Sequence, residues 1–265
     1  MLNQKSYTLT NEQIQFYQIN GCIKLKDVLS ADEINEYGPI ITKKVFELNT
    51  LHLPMEERST YQKAFLQITN LWTKDEKVKE FVFNKRIAGI AAQLMHCDSV
   101  RLYHDQALYK EPSGGFTPWH ADQFYWPLAT ENCTTVWIPL QQTPIDMGAL
   151  EFSMGSQNVD FGRDLPISDE SEQKIQDALV AQGFELLRGG FDLGEVSFHA
   201  GWTFHRAGPN TTDTPRAVMT MIYMDGAMKL KNPDNDAQKV DWEVWCPGAK
   251  VGEVIETPLN PVLYP

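Results

Sequence analysis

The sequence predicts a mainly β fold, a sandwich or barrel of the jelly-roll kind, with helices flanking it. Two observations carry this. From about Ser99, short runs rich in Val, Thr, Tyr, Trp and Phe alternate with Gly, Pro and Asn clusters, the mark of many short strands joined by turns. Before Ser99 the pattern is helical, and those helices have no sheet of their own to cover. They are therefore expected to pack on the outside of the strands. A jelly roll satisfies its strand edges in two packed sheets.

The elements follow in order. Leu9-Thr10-Asn11-Glu12-Gln13-Ile14 carries a capping box, with Thr10 as N-cap and Gln13 at the third helical position. Leu9 and Ile14 sit where a hydrophobic staple would close, and Gly21 is the expected stop. The signature recurs at Leu29-Ser30-Ala31-Asp32-Glu33-Ile34, so a second helix is expected from there to about Leu48. Lys74 to Met95 reads as further helix. Candidate strands are Val100 to Tyr109, Thr134 to Leu140, Ala149 to Phe152, Glu195 to Phe198, Thr203 to Arg206 and Arg216 to Met224. Asp169 to Gln182 is charged and amphipathic, with Ile175 and Leu179 on one side and Gly183 closing it; it reads as a helical insertion. No domain boundary is visible. One domain over 1–265 is expected, with a helical part to about 98, a jelly-roll part over about 99–230 and a C-terminal extension over about 231–265.

Composition excludes several partners. The 265 residues contain 23 Lys plus Arg against 35 Asp plus Glu, a net charge of −12. Phosphate binding needs a basic face, so nucleic acid is not expected, nor is an anionic membrane surface. No apolar run approaches the about 20 residues of a membrane span, and Met1 to Lys5 has no signal-peptide core. Cys22, Cys97, Cys133 and Cys246 are scattered, with no C-x-x-C pair. That pattern reads as four reduced thiols in a cytoplasmic protein.

The sharpest chemical signal is Trp119-His120-Ala121-Asp122-Gln123. In an extended segment, residues i and i+2 share a face, so His120 and Asp122 can reach one metal ion. A second histidine would complete a 2-His-1-carboxylate set, which leaves open positions on Fe(II) for substrate and oxygen. His199 and His205 both offer themselves, and spacing alone does not choose between them. Arg216 opens an apolar strand just after a turn, and its planar fork can bind a carboxylate bidentately.

Together these residues resemble the phytanoyl-CoA dioxygenase family of Fe(II)- and 2-oxoglutarate-dependent oxygenases. Three parts carry the resemblance: Trp119-His120-Ala121-Asp122-Gln123-Phe124-Tyr125-Trp126-Pro127; Val136-Trp137-Ile138-Pro139-Leu140 followed by Met147-Gly148-Ala149-Leu150; and His205-Arg206-Ala207-Gly208-Pro209-Asn210 with Arg216 beyond it. The resemblance implies a double-stranded β-helix holding one mononuclear iron. It selects His205 over His199, so that His120, Asp122 and His205 bind the metal. It assigns the distal carboxylate of 2-oxoglutarate to Arg216, places Trp137 beside that co-substrate and makes Gln106 a further candidate contact. It also implies that 2-oxoglutarate and dioxygen are consumed, with succinate and carbon dioxide formed and an unactivated carbon hydroxylated. With Asp122 in the carboxylate position, halogenation is not expected. Two positions depart from the family pattern. Ala207 stands where many members carry a hydroxyl toward the co-substrate, and Met154-Gly155-Ser156-Gln157 replaces a Pro-Gly-Ser-His turn.

Phe124 and Trp126, beside the metal motif, are expected to line an apolar substrate pocket. His52, His96 and His104 have no partner pattern and read as surface or core histidines. The substrate is expected to be a small molecule and not a coenzyme A ester, whose phosphates call for a basic patch. The nearest basic residues are Lys110 and Arg206, and Arg206 alternates with His205 and so should face away. The alternative is a jelly-roll protein that binds a metal or small ligand without turnover; such a protein has no need of Arg216.

Overall fold

The computed structural model describes residues 6–265, so the N-terminal stretch Met1 to Lys5 lies outside the described residues. Helix α1 (Asn11–Asn20) begins at Thr10, whose hydroxyl accepts from the Gln13 amide while the Gln13 side chain accepts from the Thr10 amide. It ends at Gly21 in the left-handed region, φ 69°. A Cβ there would also lie 2.4 Å from the Thr203 hydroxyl, so this turn into β1 (Cys22–Leu25) requires glycine. Helix α2 (Ala31–Leu48) starts with the same reciprocal cap, between Ser30 and Glu33.

After α3 (Thr60–Ala64) and β2 (Leu66–Thr69), the helical stretch expected over Lys74 to Met95 is two helices, α4 (Glu76–Val82) and α5 (Lys85–Met95). Asn84 parts them: its side chain accepts from the amides of Arg86 and Ile87, and a capping residue leaves the helical conformation to do so. The strands then follow: β3 (Val100–Tyr109), β4 (Thr117–His120), β5 (Cys133–Pro139) and β6 (Leu150–Ser153). Helix α6 (Asp169–Gln182) precedes β7 (Leu186–Leu187), β8 (Val196–Ala200), β9 (His205–Ala207) and β10 (Val218–Asp225). The chain closes with α7 (Asp236–Trp245) and β11 (Val262–Tyr264).

The strands form two antiparallel sheets of a jelly roll. One has seven strands in the order β1-β8-β5-β10-β3-β11 with β2 also on β3; the other has four in the order β4-β9-β6-β7. All six expected strands are present, β3 with the expected ends and the other five with ends shifted by one or two residues. Arg216 lies just before β10, in an isolated antiparallel bridge to Lys110.

The alternation of the large sheet decides where the chemistry can sit. Met219, Met221 and Tyr223 of β10, Val136 and Ile138 of β5, and Val196 and Phe198 of β8 face α2, α4 and α5 in one buried cluster. The residues between them, among them Thr220, Thr135, Trp137 and His199, face the interior between the sheets. Fully burying one large apolar side chain is worth about 1.5–3 kcal/mol. A one-residue slip would exchange the two faces, so helix packing fixes which side chains reach the interior. β3 breaks the alternation once. Its register to β10 skips Tyr103, a β-bulge, so Tyr103 and His104 both turn to the interior side while Leu102 and Ala107 stay under the helices.

Candidate metal and co-substrate site

His120 and His205 are direct cross-strand partners at the β4–β9 pairing, and their ring centroids lie 4.2 Å apart. Ala121 continues the extended backbone, and Asp122 opens a short 3-10 helix. Asp122 thereby stays on the His120 side, as the i, i+2 spacing requires. Its Oδ1 lies 3.6 Å from Nε2 of both His120 and His205. The ligand atoms of these three residues all fall within 4.8 Å of one another. Two ligands about 2.1 Å from one ion lie no more than about 4.2 Å apart, and both nitrogen–oxygen separations satisfy this.

Each imidazole is aimed from behind. His120 Nδ1 donates to the Pro118 carbonyl at 2.7 Å and His205 Nδ1 to the Thr203 carbonyl at 3.0 Å. With the proton on Nδ1, the Nε2 lone pair faces the shared point. Burial pushes both rings down to about 4, so they are neutral donors at neutral pH. Burial alone would raise the Asp122 carboxyl, but His205 and the His199 hydrogen bond hold it well below the usual carboxylate range. Two neutral imidazoles and one ionised carboxylate are the protonation states a metal needs.

His199 occupies a different place from His205. It lies on β8 in the other sheet, and its Nε2 donates to Asp122 Oδ2 at 3.2 Å. Thr135, its cross-strand partner on β5, donates to the same oxygen at 3.0 Å. Oδ2 is thus tied twice to the large sheet, and Oδ1 is left facing the two imidazoles of the small one.

These groups open on a cavity of about 300 Å³. Arg216 lines it and is 1% exposed. Its guanidinium carbon stands 5.4 Å from the Trp137 ring centroid, Nη1 donates to the Gly148 carbonyl at 2.5 Å, and Nε is buried without a partner. Burial lowers it to about 9, so it stays cationic at neutral pH. A buried cation with an unpartnered N–H suits an incoming carboxylate. Ala207 carries no hydroxyl, but Thr117 lies directly across the ladder from it and lines the same cavity. Gln106 also lines the cavity, where it accepts from Gln67 at 2.5 Å. Lys110 is buried behind this wall, its Nζ donating to the Gly115 carbonyl, and burial with Arg216 nearby pushes it down to about 6.

Trp126 and Tyr125 line the cavity; Phe124 is not among the lining residues, and its carbonyl instead accepts from Asn235 and Gln238 at the start of α7. His104, read from the sequence as a surface or core histidine, is buried but belongs to the cavity wall, stacked on Trp245 at 4.7 Å. Arg206 faces outward as expected, bonding Glu151 and Glu172. Sequence reasoning missed Asp241 and Trp245, four residues apart on α7, and Tyr61 and Phe65 near α3, which all line the cavity. The i, i+4 spacing of each pair was the available signal.

The chain is similar to several known proteins. The chain is 24% identical over 229 residues to a probable alpha-ketoglutarate-dependent hypophosphite dioxygenase of Stutzerimonas stutzeri, covering 80% of this chain and 77% of that one. Its fold is similar to that of the non-heme alpha ketoglutarate dependent carbocyclase SnoK from nogalamycin biosynthesis, with TM-score 0.78, 23% identity and 96% of each chain covered. It is also similar to EctD from S. alaskensis with 2-oxoglutarate and 5-hydroxyectoine, with TM-score 0.73, 19% identity, and 95% of this chain and 89% of that one covered. Jelly roll and His-Asp-His cluster together define the class of non-haem iron, 2-oxoglutarate-dependent dioxygenases. Within it, the chain belongs to the phytanoyl-CoA dioxygenase (PhyH) family, which matches residues 17–218. It is an enzyme whose cofactors are Fe(II), 2-oxoglutarate and dioxygen.

Proposed function

We propose that His120, Asp122 and His205 hold the ferrous ion, that Arg216 takes the distal carboxylate of 2-oxoglutarate, and that the chain hydroxylates a small molecule. The observation that carries the reading is the division of labour at Asp122: Oδ2 is bonded by His199 and Thr135, while Oδ1 faces His120 and His205 at 3.6 Å. Iron held by these three residues would, together with 2-oxoglutarate, supply the oxidising power for inserting oxygen into the substrate, the keto acid and dioxygen giving succinate and carbon dioxide. The protein's part is placement. Arg216 and Trp137 fix one end of the co-substrate, and Thr117 offers a hydroxyl where Ala207 has none. Trp126 and Tyr125 cover the metal side and exclude water. Gln106 sits where it can orient either guest.

The same reading covers the coarser features. Relatives act on small molecules by their names, and no helix of the described residues is long and apolar enough to cross a membrane. Four free cysteines, three of them buried, suit a cytoplasmic protein. We read the chain as one oxygenase domain. Coenzyme A esters are excluded by charge: among the described lining residues Arg216 is the only Lys or Arg, and it is committed to the co-substrate.

The test is iron- and oxygen-dependent succinate formation with a panel of amines, amino acids, neutral cyclic compounds, hypophosphite and acyl-coenzyme A esters. Small organic molecules are expected to stimulate succinate release, and the coenzyme A esters are not. Turnover confined to the coenzyme A esters would overturn the substrate reading. No succinate with any partner, even in the slow reaction without substrate, would contradict the roles given to the residues.

A further inference from the structure

We infer that the primary substrate carries a protonated amine, held by Asp241 within an aromatic wall formed by Tyr61, Phe65, Tyr125, Trp126 and Trp245. This deepens the proposed function and rests on its assignment of the metal and co-substrate ends of the cavity.

Charge is the first argument. Among the described lining residues the acidic and basic side chains, histidines aside, are Asp122, Arg216 and Asp241. A ferrous ion with Asp122, and a 2-oxoglutarate dianion with Arg216, together carry no net formal charge. Asp241 is then the one acidic group among the described lining residues without a charged counterpart. An anionic substrate would meet its ionised form as a like charge, and a neutral one would leave its carboxyl partly protonated, as burial favours. A cation would neutralise it in a partly desolvated place, where such pairs count for more than in water.

Architecture is the second. Asp241 is half-buried and is set in place by its neighbours. The Tyr103 hydroxyl donates to its Oδ2 at 3.1 Å. Trp245 lies one turn along α7 and is stacked on His104. Tyr103 and His104 reach this end of the barrel together only because of the bulge in β3. Helix α7 is itself anchored over the metal motif, since Asn235 and Gln238 donate to the Phe124 carbonyl at 3.3 and 3.0 Å. Burial raises the Asp241 carboxyl to about 7, and a cation seated beside it would bring it back toward the carboxylate range.

The wall is the third. Tyr61 and Phe65 meet edge to face at 5.2 Å, and Tyr125 is held by the Ile167 amide donating to its hydroxyl at 2.9 Å. A carboxylate among aromatic rings is the chemistry that recognises ammonium groups, the ring faces adding cation–π attraction to the ion pair.

The test uses three probes of one shape and different charge: benzylamine, benzyl alcohol and benzoate. Each is titrated by calorimetry, without oxygen, into full-length protein with Fe(II) and 2-oxoglutarate, and the visible band of that complex is recorded separately. Benzylamine is expected to bind at least about tenfold tighter than benzyl alcohol, which is about 1.4 kcal/mol, and benzoate more weakly than either. Asp241→Asn should remove the amine preference and Asp241→Glu should retain most of it, with the band present in both as the sign of an intact site. Equal affinity for amine and alcohol, tighter binding of benzoate, or a preference that survives in Asp241→Asn would overturn the inference. A missing band with the amine preference intact would sink the metal and co-substrate assignments and leave the amine site standing.

Discussion

Replacing His205 by alanine is expected to abolish stoichiometric Fe(II) binding, whereas His199→Ala retains one iron per chain at saturating metal. The two histidines sit on facing sheets, their ring centroids 4.3 Å apart, yet they do different work. His205 offers Nε2 to the point shared with His120 and Asp122 Oδ1, and losing it leaves a two-ligand site. His199 bonds the other oxygen, Oδ2. Removing such an outer hydrogen bond costs about 10–100-fold in metal affinity, and Thr135 remains to hold that oxygen at 3.0 Å. Metal content at saturating Fe(II), measured by equilibrium dialysis, separates the cases. Loss of iron in His199→Ala with retention in His205→Ala would reverse the assignment.

The second large effect is at Arg216. Truncating one partner of a buried, hydrogen-bonded charge pair costs about 2–5 kcal/mol, or about 30-fold to several thousandfold in affinity. Arg216→Ala should weaken 2-oxoglutarate by that range and leave iron binding in place, because Arg216 bonds the Gly148 carbonyl, stands over Trp137 and is not one of the three clustered ligand residues. Lys110 does not substitute for it. Its ammonium is turned to the Gly115 carbonyl and is driven down to about 6 by burial. Unchanged 2-oxoglutarate affinity in an anaerobic titration would show that another residue holds the distal carboxylate.

Much of the metal end was legible because its information is local. His120 and Asp122 are two residues apart, and the caps at Thr10, Ser30 and Gly183 are written in three or four residues each. The choice between His199 and His205 was not local. Both are buried in strands that face one interior, and the features that favour His205, its pairing with His120 across β4 and β9 and the bond of His199 to Asp122 Oδ2, depend on strand register; from the residues alone the choice took the family resemblance. Strands of two to four residues, such as β1, β2 and β7, are too short to show a period and exist through their partners. The substrate end was illegible for a related reason. Its wall is gathered from α3 and its flank, from β3 and, more than a hundred residues further along the chain, from α7. The β3 bulge that turns both Tyr103 and His104 inward depends on register with β10 and leaves no mark in the sequence. Phe124 and Trp126 were both expected in the pocket from their place beside the metal motif; the 3-10 turn that opens at Asp122 brings Tyr125 and Trp126 to the cavity and leaves Phe124 outside it.

The most direct measurement of the metal and co-substrate assignment is the anaerobic visible spectrum of the Fe(II)-loaded protein on titration with 2-oxoglutarate. Chelation of ferrous iron by the keto acid at His120, Asp122 and His205 should give a weak visible band that saturates at one co-substrate per iron. The band should be absent in His205→Ala, and in Arg216→Ala it should appear only at co-substrate concentrations about 30-fold higher or more. A protein that binds iron but shows no such band, or an Arg216→Ala band that saturates at the wild-type concentration, would contradict the assignment.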